Sequence, residues 1–297
     1  MLYEQIQRNK RRTVLLMLFF SLIVLVIGWA VGYFFNLGSF GGMVLAAVVL
    51  AFYLPVTLAS ANTQVLSMSG ARKIEKRDNP MLYNLVEELA LAANVPMPDV
   101  YIVDDPAPNA FASGISPKHS AISFTSGLLE RLNREELAGV AAHEFSHIRN
   151  YDIRLMTLCI ALVSVIVIVA DIGQRFLFWG GGRERGRDNQ KQNPVVMIIA
   201  LLIIILAPLA AQFVHLAVSR NREYLADAGA VELTRDPQGL IGALQKISID
   251  THTVKAAKDA TAAMYIASPF GGKRKKSMNW FATHPPVESR IERLEQM

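Results

Sequence analysis

Apolar residues along this chain gather into four long blocks, with shorter periods of apolar and polar positions between them. The blocks run over Val14 to Phe35, Gly42 to Ala61, Leu155 to Phe178 and Pro194 to Val218. Each reaches the roughly 20 residues that a helix needs to cross the hydrocarbon layer, so four transmembrane helices are predicted. From Pro80 to Asn94, Leu82, Leu85, Val86, Leu89 and Ala93 recur at the spacing of one helical face, and Pro96 and Pro98 mark the end of that helix. Val100 to Val103 and Ala121 to Thr125 have strand-like composition and suggest a small antiparallel sheet. Asn133, followed by Glu136 in a relative of the capping box, opens a helix that carries Leu137, Val140 and Ala141 into residues 143–147. No breaker follows before Leu155, so this helix either continues into the third block or meets it through a bend near Asn150.

Composition and charge turn the blocks into a topology. With 52% hydrophobic residues among 297 and a mean hydropathy of +0.29, the chain is built partly for bilayer and partly for water. Arg8, Lys10, Arg11 and Arg12 precede the first block, which is too long for a leader peptide and lacks a clear small-residue cleavage site. It reads as a retained anchor whose basic flank stays in the cytoplasm, with Asn36 to Gly41 as a short external turn. The expected division is then an N-terminal hairpin (1–61), a first cytoplasmic part (62–154), a second hairpin (155–218) and a second cytoplasmic part (219–297). One segment opposes this. The outer loop after Trp179 carries Arg183, Arg185, Arg187 and Lys191 against Glu184 and Asp188, a placement that the positive-inside rule disfavours. Either the first hairpin dominates or the second inserts only partly; full spanning is the expectation.

The chemistry is concentrated in His143-Glu144-Phe145-Ser146-His147. Residues four apart on a helix share a face, so His143 and His147 can hold one metal ion. Glu144, one step around, can take a proton from an attacking water and pass it to a leaving amine. The single cysteine, Cys159, excludes an intrachain disulfide framework and a Cys-rich zinc site, so further ligands must be His or carboxylate. Two histidines and a carboxylate form a catalytic zinc site that keeps one position open. Glu223, just after the fourth block and on the same predicted side as His147, is the best candidate. Asp227, one turn later, can accept from the second ring nitrogen of a ligand histidine, or be an ordinary exposed or ion-paired helix residue. No glycine-rich phosphate cradle occurs, and neither a nucleotide nor a nucleic acid is expected as a partner. A holdase that uses zinc only structurally is the competing class; it requires a closed fourth coordination position.

In order and spacing these motifs resemble the HtpX heat-shock membrane proteases of bacteria and archaea and, more distantly, the CAAX-prenyl endopeptidases. The likeness runs over almost the whole chain: the N-terminal hairpin, Asp104 to Ala112, HExxH followed by Asn150 and Asp152, Glu223 with Asp227, and Phe281-Ala282-Thr283-His284-Pro285-Pro286. The resemblance implies an α+β chain, a mainly helical integral membrane protein with four transmembrane helices and a cytoplasmic zincin-like metalloprotease domain. It implies one zinc ion held by His143, His147 and Glu223, with Glu144 catalytic. It places the protein in the cytoplasmic membrane, multi-pass, with the site facing the cytoplasm, where it cleaves misfolded or damaged membrane proteins. It also suggests that Asn109-Ala110-Phe111 lies beside an edge strand that holds substrate extended by strand addition, a packed turn being the plainer alternative. His284 is suggested as a donor to the developing oxyanion, or else a loop histidine, and Arg290 as its support or as the partner of a Glu.

Overall fold

The computed structural model describes residues 2–34, 38–164, 166, 219–257, 261–270 and 285–297. Its first two helices, α1 (Leu2–Phe34) and α2 (Ser39–Met68), form a hairpin that turns at Gly38, where φ is 74°. Both are long and apolar enough to cross a membrane, over Glu4–Ala30 and Phe40–Met68 with hydropathies of 2.6 and 2.2. Small residues set their approach. A Cβ on Gly42 would overlap the Gly28 carbonyl and the Gly32 Cα, so this crossing requires a bare backbone on both helices. Leu15, Leu18, Leu22, Val26, Trp29 and Tyr33 form an exposed apolar ridge along α1. The opposite face, Asn9, Thr13, Leu16 and Phe20, is buried, and its apolar members pack on Leu155, Cys159, Leu162 and Val163 of the helix over 152–164. The rest of the third predicted span and all of the fourth lie outside the described residues.

Four strands follow the anchor in space: β1 (Ala71–Lys73), β2 (Asp99–Val103), β3 (Ala110–Ser116) and β4 (His119–Thr125). Their order is β1-β2-β4-β3, and the sheet is mixed rather than antiparallel. The two strands read from the sequence, β2 and β4, pair in parallel, Val100 opposite Ile122 and Ile102 opposite Phe124. The cause is the intervening β3. It makes a tight antiparallel hairpin with β4, so the chain has already reversed once when β4 reaches β2. This leaves β3 on the edge.

The helices that frame the site follow local rules. In α3 (Pro80–Ala92), the Asn79 side chain accepts from the Leu82 N–H at 3.1 Å, and Leu82, Leu85, Val86 and Leu89 turn into the core. A short α4 (Ser126–Arg131) leads to α5 (Arg134–Arg149), which begins with a complete capping box between Asn133 and Glu136. Most of α5 is buried, and a fully buried ring such as Phe145 contributes about 1.5–3 kcal/mol. At its end the chain bends. Asn150 caps α5, and Tyr151 takes φ 60° before α6 (152–164) begins, so the bend and not a continuous helix joins them. α7 (Arg220–Thr234) lies directly against α5, where a Cβ on Gly229 would overlap the Ser146 hydroxyl. α8 (Pro237–Ile249), a 3-10 turn (Ala262–Met264) and α9 (Val287–Leu294) complete the described fold.

Candidate active site

The close approach of α5 and α7 brings three side chains to one point. His143 and His147 Nε2 stand 3.2 Å apart, and each is 3.7 Å from a different oxygen of Glu223. All the ligand atoms lie within 4.8 Å of one another. A tetrahedral zinc with bonds of about 2.0–2.2 Å would hold its ligand atoms roughly 3.3 Å apart, so two imidazoles and a carboxylate at these separations fit zinc.

Each imidazole is aimed from behind. Asp227 Oδ1 is 2.9 Å from His143 Nδ1, and Asp152 Oδ2 is 3.1 Å from His147 Nδ1. A ring N–H given to a carboxylate fixes the tautomer and leaves Nε2 free to bind metal. Asp227 is in turn gripped by the fully buried Arg290, whose Nη2 and Nε donate at 2.6 and 2.9 Å while Nη1 donates to the Ile266 carbonyl at 2.7 Å. The arginine therefore pairs with an Asp and not with a Glu. Asp152 receives the Asn9 side-chain amide from α1 at 2.6 Å.

Burial and neighbouring charge separate the two histidines. Burial dominates at His143 and, with the Arg290 charge opposing the Asp227 hydrogen bond, brings it to about 4. At His147 burial acts in the same direction, but the Asp152 hydrogen bond and the charges of Glu223, Asp152 and Glu144 overcome it and lift the imidazole to about 9. Burial pushes Glu144 up to about 7 against the charge of His147. Glu144 Oε1 makes no hydrogen bond among the described residues, although it is fully enclosed. Buried carboxylate oxygens are rarely left so, and this one adjoins the cleft that His143, His147, Glu223, Ala112 and Met156 line.

His143, Glu144, His147, Glu223 and Asp227 are thus brought together. Asn109, Ala110 and Phe111 fall at the start of the edge strand, already engaged: Asn109 donates to the Ala267 carbonyl at 3.1 Å, the Ala110 carbonyl accepts from Ile266 N–H at 3.0 Å, and Phe111 meets Tyr265 edge-on. His284 lies outside the described residues. Sequence reasoning gave Asp152 and Asn9 no role. Asp152 is five residues from His147 across the bend, a spacing no helical rule selects, and Asn9 carries no motif at all.

With the apolar hairpin beside it, this arrangement puts the protein among the membrane zinc metalloproteases. Known sequences narrow the class. The chain belongs to Peptidase family M48, whose profile matches residues 76–297. It is 51% identical to a protein named Protease HtpX homolog from Ligilactobacillus salivarius and 49% identical to one of the same name from Listeria monocytogenes, with 100% of both chains covered in each case. A third, from Limosilactobacillus reuteri, is 47% identical over the same full span. Among solved structures, the crystal structure of S. mikatae Ste24p aligns with a TM-score of 0.45 and 17% identity, over 98% of this chain and 66% of that one.

Proposed function

We propose that this enzyme is an endopeptidase of the cell membrane that cuts misfolded or damaged membrane proteins at the cytoplasmic face, with one zinc ion per chain held by His143, His147 and Glu223. The observation that carries this reading is the convergence of those three side chains beside the enclosed, unpartnered Glu144 oxygen. Zinc, when bound, supplies a Lewis acid that acidifies water and polarises the scissile carbonyl. Glu144 takes the proton of the attacking water and returns it to the leaving amine. Asp227 and Asp152 keep the two rings aimed, and Arg290 keeps Asp227 in place. Substrate lies extended along the Ala112 stretch of β3, whose N–H is directed toward Glu144. His284 is assigned on resemblance alone as the oxyanion donor.

A membrane substrate suits the position of the cleft, because Ile153 and Met156 of α6 line it at the base of the third predicted span. Four spans divide the chain into hairpins at 1–61 and 155–218 and cytoplasmic parts at 62–154 and 219–297. The holdase alternative is not favoured, since the full-length relatives are named as proteases. Glu144→Gln in the full-length protein, assayed with zinc on an unfolded membrane substrate, is expected to lower cleavage by about 10²–10⁴-fold while zinc affinity stays within a few-fold. Undiminished cleavage by that variant overturns the mechanism.

A further inference from the structure

We infer that Asn9 of the N-terminal helix is a positioning residue of the metal site, holding the carboxylate that orients His147. This rests on the reading of His147 as a metal ligand. Asn9 is the one buried residue in a basic run whose Arg8, Lys10 and Arg11 are exposed. A polar side chain buried on an apolar helix is costly unless it is satisfied, and this one is. Its Nδ2 donates to Asp152 Oδ1 at 2.6 Å and to the Asn150 carbonyl at 3.0 Å, so one amide ties together both ends of the bend between α5 and α6.

Asp152 needs such a tie. Its other oxygen faces His147 Nδ1, but Asp152 stands beyond the left-handed Tyr151, and so α5 does not fix its aim. The nearby Arg222 Nη1 is 3.8 Å from Asp152 Oδ1 and makes no hydrogen bond, which leaves Asn9 as the short contact on that oxygen among the described residues. Two further contacts hold the donor in register. The Lys10 ammonium sits 4.8 Å over the Tyr151 ring, and the Thr13 hydroxyl donates to the Asn9 carbonyl at 2.9 Å. The path from the first membrane helix to the metal is therefore Asn9 amide, Asp152 carboxylate, His147 imidazole. The first helix works as a part of the hydrolytic centre as well as its anchor.

The test uses full-length protein in nanodiscs, with zinc affinity read by chelator competition, the visible spectrum of the Co²⁺-substituted form, and a thermal melt for folding. Asn9→Ala is expected to weaken zinc about tenfold and to shift the cobalt bands, in line with losses seen when outer partners of a metal ligand are removed. Asn9→Asp keeps the shape but sets an acceptor against Asp152, so it should bind zinc more weakly than Asn9→Ala. A role in packing alone reverses that order and leaves Asn9→Asp like the wild type. In an Asp152→Ala background Asn9→Ala should add nothing, and Ser21→Ala, whose hydroxyl donates to the Met17 carbonyl within α1, should match the wild type. Should Asn9→Ala not fold, Asn9→Asp carries the test by itself. Wild-type protein that binds no zinc, or His147→Ala that keeps it, removes the proposed metal site; wild-type affinity and spectrum in both Asn9 variants remove only the role of Asn9.

Discussion

Arg290 is among the largest fully buried side chains, and its charge is tolerated because Asp227 accepts both arms of the fork. Breaking such a pair from one side leaves a bare charge in a dry interior, which costs about 3–5 kcal/mol. Arg290→Met should therefore lower the melting temperature of the purified protein sharply, whereas a shift no larger than that of a surface Arg→Met change would show that the pair is not essential. Asp227→Ala removes the acceptor behind His143 and should weaken zinc by about 10–100-fold in chelator competition. Unchanged zinc affinity would count against its orienting role. At this scale the sequence was readable where chemistry restricts residue type: few side chains bind zinc, and helical spacing selects among them. It was unreadable where a contact joins positions 9 and 152, because no local pattern marks the two as partners. Arg290 shows the intermediate case, a residue picked out as the support of His284 or the partner of a Glu, whose carboxylate proves to be Asp227.

Among elements, helices were the more legible. The capping box at Asn133 and the apolar face of α3 are short-range patterns, and the chain obeys them. The sheet was misread because β3, Ala-Phe-Ala-Ser-Gly-Ile-Ser, is rich in small residues with weak strand preference, so the strand that sets the direction of β4 escaped notice. The hairpin of α1 and α2 offers a test with an internal control. Gly41 has open space where a Cβ would go, while its neighbour Gly42 faces the backbone of α1. Gly41→Ala should leave the thermal stability in detergent unchanged or slightly higher, and Gly42→Ala should lower it by about 1–3 kcal/mol through overpacking. Equal shifts at both positions would mean that the helices do not cross there.

For the molecule as a whole, an apolar hairpin meets an α+β body through the polar contacts of Asn9 and through apolar packing of both its helices, and the proposed orientation rests on the basic residues before the first block. Cys159 is buried in the packed region behind the site, so cysteines introduced elsewhere can be labelled against a low background. A membrane-impermeant maleimide should modify Phe40→Cys from outside intact cells and Lys118→Cys only in inverted vesicles; the reverse pattern would overturn the proposed topology. The same layout has a consequence in time. The residues that complete the site come from α1, α5, α6, α7 and α9, so its members are spread over nearly the full length of the chain. As the polypeptide leaves the ribosome, Asn9 at the base of the first helix is made before both catalytic helices, and the grip on Asp227 forms only once α9 emerges. A growing chain is thus without a complete hydrolytic centre until α9 has been made.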